Sequence, residues 1–239
     1  MDELACEALV KLQYNEDIIA NLLATPKDIH ELFIGHLVSE GYVKNYFTSK
    51  ELSFNVSENQ GSYDALLSNE QHISRIGDSN RVVTSSCGAC NSDGLEQLIS
   101  DLPLIVKDES NIDLEALNKC FKEMKTHQLG FQLTGGVHAA GLIDSDNNLL
   151  FVLEDIGRHN AVDKVVGRAL INDTSLSNST LLLSGRCGWD IVAKASRCGI
   201  TNIASIGACS SLAAKAARYT GVRIISFLKN DNAVIIGDN

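Results

Sequence analysis

Residues 149–170 read LLFVLEDIGRHNAVDKVVGRAL, and a change of rhythm inside them decides the fold. The first five positions are an unbroken apolar run, as a strand buried on both faces requires. Further on, Ala161, Val162, Val165, Val166, Ala169 and Leu170 recur at the spacing of one helix face. The loop between them is Glu154-Asp155-Ile156-Gly157-Arg158-His159-Asn160, and Asp163 and Lys164 follow on the first helical turns. A buried strand, a polar loop and an amphipathic helix make one βα unit of a layered α/β domain. A helix start already favours an anion, so Arg158, His159, Asn160, Asp163 and Lys164 predict a ligand site, against the plainer reading of a polar helix face.

Short apolar runs recur at 181–183, 203–206 and 224–228, the first two again followed by a polar loop and a helical stretch. The pattern predicts a parallel or mostly parallel sheet with helices packed on it; the strand order is not written in the sequence. Right-handed crossovers bring the loops leaving such strands to one sheet edge, where ligands of these sheets bind. Ser184-Gly185-Arg186 suits a phosphate, with close backbone approach at the glycine and a fork of guanidinium donors. Gly207-Ala208-Cys209-Ser210-Ser211 suits either a ligand or a tight turn with an N-cap. Upstream lies Thr134-Gly135-Gly136-Val137-His138-Ala139-Ala140, whose small residues permit a tight backbone and close helix packing. His138 fits a ligand contact, a buried hydrogen-bonded group or a metal ligand equally well.

The chain before this reads as a smaller α+β unit, over 1–110, joined to an α/β domain over 111–239. Strands are expected at 8–12, 18–23 and 52–56, with a turn over 57–62. Thr25-Pro26 reads as a cap and first helical position of a helix reaching about Glu40 and closed by Gly41, with His30 and His36 as surface or packed side chains. Asp93 and Glu96 form a capping box for a helix over 95–100, and Asn111 or Asp113 caps another through Thr126, with Cys120 on its core face.

Between those parts stands Cys87-Gly88-Ala89-Cys90. The polar run before it cannot continue a buried strand, and the helix start after it favours a thiolate. A reactive pair able to exchange sulfur is the leading reading. Half a zinc site, a thioredoxin-like pair and incidental cysteines are the others, although Cys6, Cys120, Cys187, Cys198 and Cys209 are too scattered to complete a compact zinc motif. With 30 acidic against 20 basic residues, a net charge of −10 and a sequence pI near 5.0, nonspecific nucleic-acid or membrane-surface binding is disfavoured. Seven cysteines without a secretory pattern lead us to expect a cytoplasmic protein with free thiols.

Taken together, C-G-A-C at 87–90, T-G-G-V-H-A-A at 134–140, E-D-I-G-R-H-N-A-V-D-K at 154–164, S-G-R at 184–186 and the small-residue loop from 207 resemble the FdhD family, the formate dehydrogenase accessory sulfurtransferases. Weaker similarity extends to T-P-K-D-I-H-E-L and S-E-G-Y-V. The resemblance implies a cytidine deaminase-like αβα carboxyl-terminal domain, a smaller amino-terminal domain and a homodimer. It implies that a cysteine desulfurase loads persulfide sulfur on Cys87, assisted by Cys90. That sulfur then passes to a molybdenum or tungsten bis(guanine dinucleotide) cofactor bound for formate dehydrogenase, with GDP as a mimic of the bound acceptor. Thr134, Gly135, His138, Asp155, Gly157, Arg158, His159, Asn160, Asp163, Lys164, Ser184, Gly185 and Arg186 resemble the wall of that cofactor site. Phe227, Leu228, Lys229, Asn230, Asp231 and Asn232 match its last segment. Asn91 and Asn230 depart from the family's usual glycines. A chaperone that holds the cofactor without carrying sulfur, and a thiol oxidoreductase, are the competing classes. Zinc-dependent deamination is excluded, because His138 is followed by two alanines where H-x-E is needed.

Overall fold

Alternation along the strands sets the layers. In the computed structural model, which describes residues 3–43, 52–68, 95–108, 110–229 and 232–237, Leu181, Leu183, Ile203 and Ile224 belong to one apolar cluster, whereas Leu182, Ala204 and Ile225 belong to another. Successive side chains point to opposite faces of a strand, so one sheet divides two packed layers. Its strands run in the order β10 (Asn232–Ile236), β9 (Arg223–Lys229), β8 (Asn202–Ser205), β7 (Thr180–Leu183), β5 (His138–Ile143), β6 (Leu149–Asp155). Helices α5 (Arg158–Ile171), α6 (Trp189–Cys198) and α7 (Ser211–Thr220) supply the first face, and α3 (Leu114–Thr126) the second through Leu117, Cys120, Phe121 and Met124.

The sheet is mixed rather than mostly parallel. β7, β8 and β9 pair in parallel, but β5 runs antiparallel to both neighbours and β10 runs antiparallel to β9. Sequence reading missed β5 because alanines and a glycine carry little strand signal. Ala139 and Ala140 are therefore strand residues. β9 is not the final strand, since Asn232 returns opposite Lys229 to begin β10.

A second sheet has the order β2 (Asp17–Ala24), β1 (Ala8–Tyr14), β4 (Ser62–Ser68), β3 (Ser53–Asn59). β3 runs through the segment expected to turn, and the turn itself falls on Gln60 and Gly61, both at positive φ. Val10, Leu12, Ala65 and Leu67 face helix α1 (Ile29–Ser39), while Leu9 and Leu66 face outward. α1 starts later than Thr25-Pro26 suggests: its N-cap is Asp28, in the left-handed region at φ 53. Thr25 is used elsewhere.

α1 crosses α5 with backbones in contact. A β-carbon at Gly35 would overlap the Asp163 carbonyl, and one at Gly167 would overlap that of Glu31. Around this crossing the buried Lys194 ammonium reaches Asp163 at 2.7 and 3.0 Å, Ser39 Oγ at 3.0 Å and Glu40 at 2.5 Å. Ser39 Oγ donates to Asp163 at 2.6 Å, and His36 Nδ1 lies 3.1 Å from the same carboxylate. Burial alone would raise the Asp163 pKa, but the Lys194 charge and the His36 contact hold it below the usual carboxylate range. Burial would likewise lower Lys194, yet Asp163 and Glu40 hold it above the usual amine range.

Helix α2 (Leu95–Ser100) and the residues after it lie along α7 and β9: Ile105 N–H donates to Thr220 O at 2.8 Å, and Arg223 reaches Asp108 at 3.4 Å. α3 is capped by Asp113, whose carboxylate accepts from Ala116 N–H at 2.9 Å. No helix among the described residues is long and apolar enough to cross a membrane.

Candidate functional site

The carboxyl ends of β6, β7, β8 and β9 and the start of β5 share one edge of the six-stranded sheet. The pairing does not stop where the strands do. Ser184 is joined to Ala139 twice, donating its N–H at 3.0 Å and accepting on Oγ at 2.9 Å. Gly207 N–H donates to Gly185 O at 3.2 Å, and Phe227 N–H donates to Gly207 O at 3.1 Å. These bonds make a continuous backbone ledge. A β-carbon at Gly207 would lie 2.9 Å from Gly185 O, so only glycine lets the two loops approach. Phe227 is 53% exposed and adopts φ 55, a left-handed conformation rare for a bulky residue.

His138 stands at the rim, opposite Asp155 in the register and against Gly185. Burial, and then the charges of Arg158 and Arg186, lower its pKa against a smaller opposing pull from Asp155. Both charges therefore bear on one imidazole, Arg158 from the first position of α5 and Arg186 from the loop after β7. Converging positive charge beside exposed backbone suits a phosphate-bearing ligand. Thr134 and Gly135 close the short helix α4 (Leu129–Thr134), just before this rim.

The polar block 154–164 divides by direction. Asp155, Asn160, Asp163 and Lys164 are buried. Asp155 accepts from Gly157 N–H, Asn160 Nδ2 and Thr25 N–H at 2.8, 3.0 and 3.0 Å, and Lys164 meets it at 2.6 Å. Its carboxylate is saturated by these internal partners. Lys164 also donates to Thr25 O at 3.0 Å and to Glu154 O at 3.3 Å, while Asn160 donates to Leu23 O at 2.9 Å. Thr25 Oγ1 in turn accepts from Ile156 N–H at 3.1 Å. Glu154 accepts from Gly130 and Phe131 N–H at 2.7 and 2.8 Å, capping α4.

Gly157, Arg158 and His159 remain half-buried at the start of α5. Arg158 is tied to Asp190 at 3.3 Å, and His159 Nε2 also contacts Asp190. Burial lowers the His159 pKa against the opposing charge of Asp190. Asp190, on the first turn of α6, escaped sequence reading; its acidic residue two places after Gly188 was the available signal. Leu228 is buried, and Lys229 and Asn232 flank the β9–β10 connection. Cys87, Cys90, Asn230 and Asp231 lie outside the described residues. A cavity of about 310 Å³ at the opposite sheet edge, beside Asp108, Asn202 and Arg223, has these polar groups bonded to one another.

Residues 5–237 match the FdhD/NarQ family, and the chain belongs to that family. It is 35% identical over 225 residues to the sulfur carrier protein FdhD of Picrophilus torridus, covering 91% of this chain and 82% of the relative. With the sulfur carrier protein FdhD of Streptomyces coelicolor the identity is 34% over 241 residues, 97% of this chain and 86% of the relative. The crystal structure of a candidate formate dehydrogenase accessory protein from Desulfotalea psychrophila superimposes with a TM-score of 0.74 at 22% identity, covering 98% of this chain and 88% of that one. The last likeness bears on the fold.

Proposed function

We propose that this chain is a sulfur carrier that takes persulfide sulfur from a cysteine desulfurase and delivers it to a molybdenum or tungsten bis(guanine dinucleotide) cofactor needed by formate dehydrogenase. Curated relatives named sulfur carrier proteins support the carrier role. The observation that carries the acceptor site is the ledge, where His138 stands against Gly185, Arg186 lies against Gly207, and the charges of Arg158 and Arg186 both bear on His138. This reading treats the six-stranded unit as a cytidine deaminase-like αβα domain, placed after a smaller domain ending near residue 110, and the chain as a cytoplasmic homodimer.

By motif position, a Cys87 thiolate attacks the outer sulfur of the donor persulfide. The sulfur–sulfur bond breaks, the donor leaves as a thiolate, and Cys87 holds the new persulfide, with Cys90 assisting. Arg158, Arg186 and Lys229 counter the phosphates of the acceptor substrate, and Gly185 and Gly207 let its polar rings approach the backbone closely. His138, kept neutral by its surroundings, offers both a donor and an acceptor.

Incubation with a cysteine desulfurase and cysteine, followed by peptide mass spectrometry without reductant, tests the carrier step. The expected adduct is about 32 Da on the peptide holding Cys87 and Cys90. Its absence, with GDP still bound, would replace the carrier with a cofactor-holding chaperone.

A further inference from the structure

Cys187 and Cys209 occupy matching places two residues beyond Gly185 and Gly207, just before α6 and α7. They are partners in a parallel bridge. Cys187 N–H donates to Ala208 O at 3.0 Å, and Ser210 N–H donates to Cys187 O at 3.1 Å. Paired extended segments lie about 4.8 Å apart, within the roughly 4.4–6.8 Å between the α-carbons of a disulfide. Both side chains join the cluster under the ledge, Cys187 buried and Cys209 half-buried. One thiol is reachable and the other is sheltered beside it.

The carrier reading uses neither, yet it leaves an electron balance open. The outer sulfur of a persulfide is two electrons more oxidised than sulfide, so its delivery as sulfide needs a two-electron donor. Resting on the sulfur-carrier reading, we propose that Cys187 and Cys209 form a dithiol that reduces persulfide sulfur to sulfide at the ledge. The Cys209 thiolate attacks the outer sulfur of an arriving persulfide; that sulfur–sulfur bond breaks, and the carrier leaves as a thiolate. The Cys187 Sγ, passing its proton directly to the adjacent outer sulfur because burial disfavours a free thiolate there, then attacks the inner sulfur of the Cys209 persulfide. A Cys187–Cys209 disulfide forms, and the outer sulfur departs as hydrogen sulfide with the Cys187 proton and the electron pair of the broken bond. An external dithiol reopens the disulfide.

The full chain carrying Cys87→Ala and Cys90→Ala, freshly reduced and given one equivalent of cysteine persulfide, isolates this step from the loop. About one sulfide per chain and a non-reduced peptide joining Cys187 to Cys209 are expected. In that background Cys209→Ser removes both signals, and Cys187→Ser leaves an adduct of about 32 Da on Cys209 without sulfide release. Should the buried Cys187→Ser variant fail to fold, the half-buried Cys209→Ser variant still decides. Sulfide release unaltered by Cys209→Ser, or no joined peptide before that substitution, overturns the proposal. Desulfurase loading of the unsubstituted protein reads out separately: no adduct at Cys87 or Cys90 rejects the carrier reading, whereas loading without a Cys187–Cys209 linkage rejects only the dithiol.

Discussion

Asp155 and Lys164 are both fully buried and meet at 2.6 Å, joining the end of β6 to the first turns of α5. Removing one partner from such a pair leaves a charge with neither water nor counter-ion. Lys164→Ala is expected to cost about 3–5 kcal/mol, seen as a lower denaturant midpoint. The double variant Asp155→Asn, Lys164→Met should lose less than the sum of its single changes, because the two residues act as one unit.

Gly35 and Gly167 permit the α1–α5 backbone contact. Alanine at either position must push the helices apart, at about 1–3 kcal/mol or more. Urea denaturation of both single variants and the double variant checks this. The double should be milder than additive, since one displacement relieves both overlaps.

Acid stability should depend on Asp163. Its folded pKa lies below the ordinary value, so its contribution is full above the unfolded carboxylate pKa of about 3.9 and is lost as pH falls through the lower folded value. Lys194 is raised, so its contribution is full below about 10.4 and is lost as pH rises beyond that. Asp163→Asn should lower stability at neutral pH and flatten its acid dependence. Urea midpoints from pH 3 to pH 7 on both proteins test the slope.

Arg158→Ala and Arg186→Ala are each expected to weaken GDP binding about tenfold, equivalent to about 1.4 kcal/mol, measured by titration calorimetry. Sulfur loading at Cys87 should be unaffected. Asp190→Asn frees Arg158 from its partner and should strengthen GDP binding, with greater dependence on salt.

The β6–α5 unit was legible because a strand buried on both faces and a one-sided helix leave different local rhythms. β5 was not, since its place between β6 and β7 depends on pairings absent from local sequence. Sequence showed which polar residues crowd 154–164 but not which way they turn. Asp163 and Lys164 sit on a helix side buried by Gly35 and Thr25, contacts more than a hundred residues away. Thr25 before Pro26 carried the local mark of a helix cap, while its real partners are Asp155, Ile156 and Lys164. Arg158, Gly185 and Arg186 could be named in advance because loops at strand ends share an edge. Asp190 stood in the sequence two places after Gly188, but its restraint on Arg158 depends on where α6 packs.

Thr25 engages the 155–164 segment through its amide, carbonyl and hydroxyl at once. A single residue thus splints the end of β2 to the loop presenting Arg158. Displacing the end of β2 must therefore break or carry along three bonds to that segment, so the two sheets cannot shift there independently.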